Sequence, residues 1–486
     1  MTETPDCIEN RTFDEIAIGD SASLTRTLTQ RDIELFAVMS GDVNPAHVDP
    51  AFAKSDIFHK IIAHGMWGGA LISTVLGTEL PGPGTIYLDQ TLKFRAPVAI
   101  GDSITISVTA REKDTKRHRV TFDCRCVNQK GTVVIEGSAL VIAPVEKIKR
   151  RRVTLPEIKV EERGAKFRHL IALAEKISPL TVAVVHPVDA NVLGGAVAAA
   201  KAKLMTPILV GPERRIRAAA EAAGIDIAGY PLIAVEHSEA AAREAVAMVR
   251  RGDVAGLMKG SLHTDEFMRP ILDGATGLRT GRRISHVFVI DLPGHDRPLF
   301  ITDAAINIAP NLEQKRDIVQ NAIDMAHALG IETPKVAMLS AVEDVNPAIP
   351  STLDAAAICK MADRGQIGGA IVDGPLAFDN AVSEAAARVK GIVSPVAGHA
   401  DILVAPDLEA GNMLAKQLEY LADAEAAGVV LGARVPIILT SRADNAASHL
   451  ASAAVAALID RHGRTGIVKA AVPGRDEAIK PAKAVA

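Results

Sequence analysis

The alternation of hydrophobic and polar positions divides the chain into two parts. In the first part, apolar residues at helical spacing follow a Thr29–Asp32 capping box, and a second helix is predicted over His64–Gly77. From residue 86 to residue 141 the period changes to two, which predicts half-buried antiparallel strands around a helix. We therefore expect an α+β domain over residues 1–145.

In the second part, over 166–475, short apolar strands alternate with alanine-rich helices. This alternation predicts a mostly parallel α/β sheet covered on both faces. The part is long for one such sheet, so two lobes with a cleft are expected. A charged connector is predicted over 146–165 and a frayed tail over 476–486. The strand candidates are Thr181–Val185, Ile208–Val210, Val254–Met258, Ser285–Ile290, Val336–Ser340, Gly369–Asp373, Asp401–Val404 and Val435–Thr440.

Composition narrows the function classes. The formal charge is −4 and aromatic residues make up 3% of the 486 positions, which argues against a nucleic-acid-binding surface. The four cysteines lack zinc spacing, and no apolar run is long enough for a membrane span. We expect a cytoplasmic protein with reduced thiols, no metal, no tightly bound cofactor, no membrane partner and no nucleic-acid partner.

An acid and a base lie five residues apart just after the first helix. Asp42 and His47 share a turn that Pro45 stiffens and Asn44 supports by hydrogen bonds. This pair suits the addition of water across an activated double bond. Gly65 opens the next helix, where free backbone N–H groups favour a developing oxyanion.

The motifs of this part resemble the MaoC-like hydratases, a family of (R)-specific enoyl-CoA hydratases with the hot-dog fold. The resemblance rests on Asp42-x-Asn-Pro-x-His47-x-Asp, His64-Gly-Met, Gly84-Thr-Ile-Tyr and Phe94-Arg-x-Pro-Val-x-x-Gly-Asp. It implies a catalytic pair of Asp42 and His47, a Gly65 N–H directed at the thioester carbonyl, and Ser73 orienting the acid. It also implies substrate contact near Asn44 and a dimer or double hot dog; His64 is expected to cap the turn.

A second pair, Ser441 and Arg442, directly follows a predicted buried strand and precedes a helix. Ligands bind at this end of strands in α/β sheets, and a guanidinium suits phosphate. Moving an acyl group between a thiol and phosphate also needs a donor for the carbonyl oxygen.

The surrounding motifs resemble the phosphate acetyl/butyryltransferase family over nearly all of 166–465. They are Lys259-Gly-Ser-Leu-His-Thr, Ile301-Thr-Asp-Ala-Ala-Ile-Asn, Val336-Ala-Met-Leu-Ser, Asp373-Gly-Pro-Leu, Asp407-Leu-Glu-Ala-Gly-Asn and Ser441-Arg-Ala. The resemblance implies a dimer and a two-lobed fold related to isocitrate and isopropylmalate dehydrogenases. Lobe one would hold 166–302 plus 440–475, and lobe two 303–439.

By this resemblance Ser441 steadies the carbonyl oxygen and Arg442 binds phosphate. Arg283 is the expected further arginine, with Arg279 and Arg282 as alternatives, and Asp303 is expected to line the cleft or to form strand-end hydrogen bonds. Acetyl-specific members carry an aspartate thiol base where this chain has Ser448, followed by His449. That departure favours the butyryltransferase branch. His186 and His399 stand alone in the sequence and are predicted to be structural or to face solvent.

The two parts together predict a bifunctional enzyme that takes coenzyme A thioesters and phosphate as substrates and forms a homo-oligomer. It would hydrate trans-2-enoyl-CoA to (R)-3-hydroxyacyl-CoA and exchange coenzyme A and phosphate on a short acyl group. The alternative is a fusion with one active domain, the other binding acyl-CoA for regulation or oligomerisation. A dehydrogenase is disfavoured, because neither a nicotinamide fingerprint nor a metal-binding acid cluster is present.

Overall fold

The computed structural model describes residues 7–156, 158, 163–440 and 445–465. The chain divides into two compact units, residues 1–160 and 161–486. Each unit is described by itself.

The first unit is a five-stranded antiparallel sheet in the order β2-β4-β5-β6-β3, with helix α4 packed against it. Ile72, Val75 and Leu76 of α4 share the core with Ile106 and Val120 of the sheet. The elements are β1 (Cys7–Glu9), β2 (Ser21–Thr27), α1 (Gln30–Ser40), α2 (Pro45–Val48), α3 (Pro50–Ser55), α4 (Gly65–Thr78), β3 (Ile86–Phe94), β4 (Ser103–Asp114), β5 (Arg119–Asn128), β6 (Val133–Ile142) and β7 (Lys149–Arg151).

Local sequence signals set most of these boundaries. Thr29 and Asp32 form the predicted capping box, and α1 ends at Gly41, whose φ of 73° suits glycine. The predicted connector begins too early, since β7 pairs with β1 and belongs to the first unit. Opposite charges stabilise this pairing: Lys147 and Lys149 both contact Glu9.

The second unit contains one eleven-stranded sheet in the order β10-β9-β8-β11-β18-β17-β12-β13-β16-β14-β15. Its elements are α5 (Ala165–Ala174), β8 (Leu180–Val185), α6 (Ala190–Lys201), β9 (Met205–Gly211), α7 (Glu213–Ala223), β10 (Leu232–Ala234), α8 (Ser238–Arg251), β11 (Gly256–Lys259), α9 (Thr264–Leu272), β12 (Ser285–Asp291), β13 (Leu299–Thr302), α10 (Leu312–Ala328), β14 (Lys335–Leu339), α11 (Pro350–Asp363), β15 (Ile371–Leu376), α12 (Phe378–Val382), α13 (Glu384–Val389), β16 (Ile402–Val404), α14 (Leu408–Leu421), β17 (Glu425–Leu431), β18 (Ile437–Ile438) and α15 (Ala446–Thr465).

The mostly parallel sheet is confirmed, and its central strands are buried on both faces as their continuous apolar sequences predict. Antiparallel pairing is confined to β12 with β13, β12 with β17 and β17 with β18. The structure contains strands that the sequence pattern does not predict, namely β10, β13 and β17 in the second unit and β2 in the first unit. In β2 every second residue is serine or threonine, and only Ala22 and Leu24 between them are apolar, which weakens the apolar signal of the strand.

No described helix has the length and apolar character to cross a membrane. The four cysteines are unpaired, and Cys124 and Cys126 are buried in β5.

The close approach of β6 and β3 at Gly137 gives a stability prediction. A Cβ at Gly137 would lie 1.9 Å from the Thr91 carbonyl oxygen. Because that neighbour is backbone, Gly137→Ala should destabilise the first unit by about 2–3 kcal/mol. Gly77→Ala, on an open position of α4, should instead stabilise it by up to about 1 kcal/mol. Calorimetric unfolding of the full chain measures both, and an unchanged profile for Gly137→Ala would contradict the close approach.

Candidate active sites

The loop after α1 holds Asp42 by short-range hydrogen bonds. The Asp42 carboxylate accepts the Asn44 N–H at 3.1 Å, and the Asp42 N–H donates to Ser40 Oγ at 3.2 Å. Asn44 itself caps α2, with its side-chain oxygen accepting the Ala46 N–H. The Asp42 side chain is thus exposed, but its hydrogen bond from the Asn44 N–H fixes its orientation. The Asn44 side chain stabilises the loop by capping α2 and does not line the cavity.

The proton position on His47 follows from its partner. His47 Nδ1 lies 2.9 Å from the Ile62 carbonyl oxygen. Because a carbonyl oxygen only accepts, Nδ1 of the neutral ring carries the proton, and Nε2 keeps its lone pair. His47 therefore presents a proton acceptor on its other side.

His64 is buried and has a different role from the expected turn cap. Its side chain makes no capping bond to α4; instead Nε2 donates to the Asp42 carbonyl oxygen at 3.0 Å. The ring stacks between Phe36 and His47, with centroid distances of 4.9 and 4.1 Å. Its Nδ1 is buried without a hydrogen-bond partner. His64 thereby joins the Asp42 loop to the start of α4.

Polar atoms of Asp42, His47 and His64 all lie within 4.8 Å of one another. Two imidazoles and a carboxylate are also a donor set that zinc accepts, although the sequence spacing predicted no metal. Within the described residues this is the one such group. The cluster thus places proton-accepting atoms around a position that a single water could occupy.

An apolar cavity of about 330 Å³ adjoins this cluster and includes His47, His64 and Gly65 in its lining. Gly65 is the first residue of α4, so its N–H lacks an intrahelical partner. A Cβ at Gly65 would lie 3.2 Å from the Phe94 ring, so a larger residue would narrow the cavity. Ser73 is exposed two turns further along α4, and no described hydrogen bond joins it to Asp42; its proposed orienting role remains a prediction.

The second candidate site lies at the carboxyl ends of three adjacent parallel strands, β8, β11 and β18. The chain leaves β8 toward β9 on one side, and β11 pairs on the other side of β8. This divergence makes a topological switch point, where α/β sheets bind ligands.

The loops after β8 and β11 bond to each other at this point. The Ser261 N–H donates to the His186 carbonyl at 3.0 Å, and His186 Nδ1 donates to the Ser261 carbonyl at 3.1 Å. The Ser261 hydroxyl donates to Asp189, which also caps α6. His186 is therefore a buried, hydrogen-bonded residue with a structural role, which is one of the two outcomes expected for it.

A cavity of about 390 Å³ opens beside these loops. No acidic residue of the described chain lines this cavity. Its polar lining comes from β11, α14 and neighbouring segments and consists of Lys259, His263, Thr264, His286, Asn412, Lys416 and Thr440. Thr440 is the last described residue before the predicted pair. Ser441 and Arg442 lie outside the described residues, as does Asp444.

Comparisons with known proteins match the two units separately. A family model described as phosphate acetyl/butaryl transferase matches residues 233–457, and a MaoC-like domain model matches 16–128. A phosphate acetyltransferase of Rhizobium meliloti is 60% identical over 306 residues, 63% of this chain and 97% of the relative. The chain belongs to the phosphate acetyl/butyryltransferase family. It carries a MaoC-like domain before the transferase domain.

Two solved structures accompany these matches. A branched-chain phosphotransacylase from Enterococcus faecalis is 31% identical, covers 58% of this chain and 99% of its own, and superimposes with a TM-score of 0.52. An (R)-hydratase from Pseudomonas aeruginosa is 43% identical and covers 32% of this chain and 99% of its own, with a TM-score of 0.31. The former supports the α/β fold of the transferase domain.

The expected arginine and aspartate of the transferase domain form a network away from the cavity lining. Arg283 Nε donates to Asn307 Oδ1 at 2.6 Å, and Asn307 Nδ2 donates to Asp303 Oδ2 at 2.5 Å. Asp303 is buried, and desolvation raises the pKa of its carboxyl despite hydrogen bonds from the Ala305 and Ile306 N–H groups. Of the two alternatives to Arg283, Arg282 pairs with Asp324 and Arg279 forms a bridge to Ala433. Asp303 thus forms strand-end hydrogen bonds, one of the two outcomes expected.

The thiol-base position of the transferase domain is occupied by packed residues. Ser448 and His449 are buried near the start of α15. The His449 ring lies against Gly195 of α6, where a Cβ would be 2.6 Å from it. Burial lowers the pKa of His449, and both ring nitrogens lack described hydrogen-bond partners. A tightly packed imidazole of lowered pKa is a poor base for a thiol.

The cavity histidine His286 gives a pH prediction. Complete burial lowers the pKa of His286 from 6.5 to about 3. Between these values the unfolded chain binds a proton that the folded chain does not, so stability should fall as the pH decreases from about 6.5. His286→Phe should remove about 1.4 kcal/mol per pH unit of this slope.

Denaturant unfolding of the full chain at pH 4 to 7 measures the slope. Phe288→Leu, which changes the ring packed edge-on against His286 without removing a titrating group, should shift stability equally at each pH. A slope that His286→Phe leaves intact would show that His286 is already protonated in the folded chain.

Proposed function

We propose that the transferase domain exchanges coenzyme A and phosphate on an acetyl group. The 60% identity to a phosphate acetyltransferase supports the acetyl assignment over the butyryl branch that Ser448 favoured. The single observation that carries the proposal is the cavity at the carboxyl ends of β11 and β18, lined by two lysines and no described acid. Such a cavity suits anionic substrates.

In the proposed reaction the coenzyme A thiolate attacks the carbonyl carbon of acetyl phosphate. The carbon–sulfur bond forms, the carbon–oxygen bond to phosphate breaks, and phosphate leaves with the bonding electrons. We assign Ser441 to the carbonyl oxygen and Arg442 to phosphate, because both follow Thr440 at the cavity.

We further propose that the MaoC-like domain hydrates a trans-2-enoyl-CoA to an (R)-3-hydroxyacyl-CoA. The cluster of Asp42 with the free Nε2 of His47 supports this assignment, since both groups accept protons beside an apolar cavity. Water oxygen adds to C3, and its released proton passes through this pair to C2. The Gly65 N–H stabilises the thioester oxygen as enolate charge develops. Four unpaired thiols fit a cytoplasmic location.

The hydratase assignment predicts a large effect of Asp42→Asn. Removing the carboxylate should lower enoyl-CoA hydration at least about 100-fold, a typical contribution of a general acid or base. The absorbance loss of a short trans-2-enoyl-CoA measures it. Asp49→Asn, which keeps the cap of α3, is the matched control and should retain activity. A wild-type hydration rate in Asp42→Asn would overturn the role of Asp42. If the wild-type chain shows acyl transfer but no enoyl-CoA hydration, the alternative of a fusion with one active domain is favoured.

The transferase assignment predicts that Arg442→Ala loses about 3 kcal/mol of transition-state binding, since a charge-assisted contact is removed. Phosphate-dependent release of coenzyme A from a series of acetyl- to valeryl-CoA measures the loss and the acyl preference. Arg364→Ala, an exposed arginine after α11, should leave the rate unchanged. If Arg442→Ala releases coenzyme A at the wild-type rate, Arg442 does not contact phosphate and the assignment is wrong.

A further inference from the structure

The cluster of Asp42, His47 and His64 in the MaoC-like domain has the composition of a metal-binding site. Each residue offers one ligand atom, and the three atoms lie within 4.8 Å of one another. Two imidazoles and one carboxylate form a ligand set that zinc uses at sites with an open coordination position. No other group of this kind is found among the residues that the structure describes.

The hydrogen bonds of the two imidazoles are those expected of metal ligands. His47 Nδ1 lies 2.9 Å from the Ile62 carbonyl oxygen, and His64 Nε2 lies 3.0 Å from the Asp42 carbonyl oxygen. A metal-bound histidine commonly donates its second ring N–H to a backbone carbonyl, which fixes the tautomer and the orientation of the ring. His47 Nε2 and His64 Nδ1 are thereby left with their lone pairs.

The remaining acceptors of the cluster can bind a cation. His64 is 2% exposed, and its Nδ1 is buried without a hydrogen-bond partner. Leaving a buried acceptor unsatisfied is costly, and coordination of a metal would remove that cost. One oxygen of the Asp42 carboxylate accepts the Asn44 N–H at 3.1 Å, which leaves the carboxylate a second oxygen for a metal.

Side-chain rotations would complete the site. Zinc holds nitrogen and oxygen ligands at about 2.0–2.2 Å, so the ligand atoms of a tetrahedral ion are about 3.4 Å apart. The exposed Asp42 and the half-buried His47 can rotate to close the remaining distance, while His64 is held by its burial. The cavity of about 330 Å³ that both histidines line provides space for a water as the fourth ligand.

We propose that Zn²⁺ binds to the Asp42 carboxylate, His47 Nε2 and His64 Nδ1 and reversibly blocks the MaoC-like domain. Binding of the ion follows from the arrangement of the cluster alone, whereas the block rests on the proposed hydratase function. The ion would engage the lone pairs of His47 Nε2 and of the Asp42 carboxylate, the groups that must accept the proton of the attacking water. Hydration then cannot begin until the metal leaves.

Calorimetric titration of the full chain with Zn²⁺ tests the binding. We expect one strong site in the wild type and at least about tenfold weaker binding in Asp42→Asn and His64→Gln, because even the loss of a residue that orients a ligand costs about 10–100-fold. Asp49→Asn and His59→Asn, two substitutions outside the cluster, should bind zinc as the wild type does. Asp42 is exposed, so Asp42→Asn decides the matter if the buried substitution unfolds the domain. Equal zinc affinity in Asp42→Asn and wild type would overturn the proposal.

Co²⁺ gives a spectroscopic signature of the same site. Bound to the wild-type chain in place of zinc, it should show the visible absorption of a four-coordinate ion, and Asp42→Asn should lose this absorption. The spectrum of the six-coordinate hydrated ion in the wild type would contradict the proposed ligands.

The block is measured with a short trans-2-enoyl-CoA, whose thioester leaves no free thiol to bind zinc. At about ten times the dissociation constant, zinc should lower the hydration rate about tenfold, because about nine chains in ten are then occupied. Removal of the metal with EDTA should restore the rate. A full hydration rate with zinc bound would refute the block. A wild type that binds zinc at the cluster but shows no hydration with or without it would instead refute the hydratase function and support the metal site.

Discussion

The transferase domain depends on the close contact between the ends of β8 and β11. A Cβ at Gly260 would lie 2.1 Å from the Val185 carbonyl oxygen, so only glycine allows the two backbones to approach this closely. On either side of Gly260, Lys259 and Ser261 are then held in place, and Ser261 exchanges two hydrogen bonds with His186. His186 adopts a φ of 55°, a conformation that this reciprocal bonding stabilises.

The contact between β8 and β11 fixes the position of the segment that carries Lys259 to the cavity. The cavity opens beside these bonded loops, and the end of β11 and the segment after it supply part of its lining through Lys259, His263 and Thr264. α14 reaches the same cavity from a later part of the chain, where the Asn412 amide donates to the Ala304 carbonyl oxygen at 3.1 Å. The cavity walls thus come from segments of the second unit that lie more than 150 residues apart in the sequence.

The sequence predicted elements and motifs that depend on near neighbours. The capping box at Thr29, the turn carrying Asp42 and His47, and most central strands follow from spacing of a few residues. It could not predict contacts that only the fold creates. His64 meets the Asp42 carbonyl across 22 positions, and His186 meets Ser261 across 75. From the sequence, His64 is expected only to cap the turn and His186 to be structural or solvent-facing, because the hydrogen-bond partner of a ring nitrogen does not lie beside it in the chain.

The ring partners in the MaoC-like domain also constrain the proposed hydration. Backbone carbonyls fix the proton on Nδ1 of His47 and on Nε2 of His64, so in the neutral rings the opposite nitrogens are both acceptors. The Asp42 carboxylate likewise accepts a hydrogen bond, from the Asn44 N–H, so the cluster presents acceptors but no ready donor. The proton that reaches C2 must then first be taken from water, which ties the attack at C3 to proton return through the same groups. On this argument the cluster favours removal of a water proton before delivery of any proton to carbon.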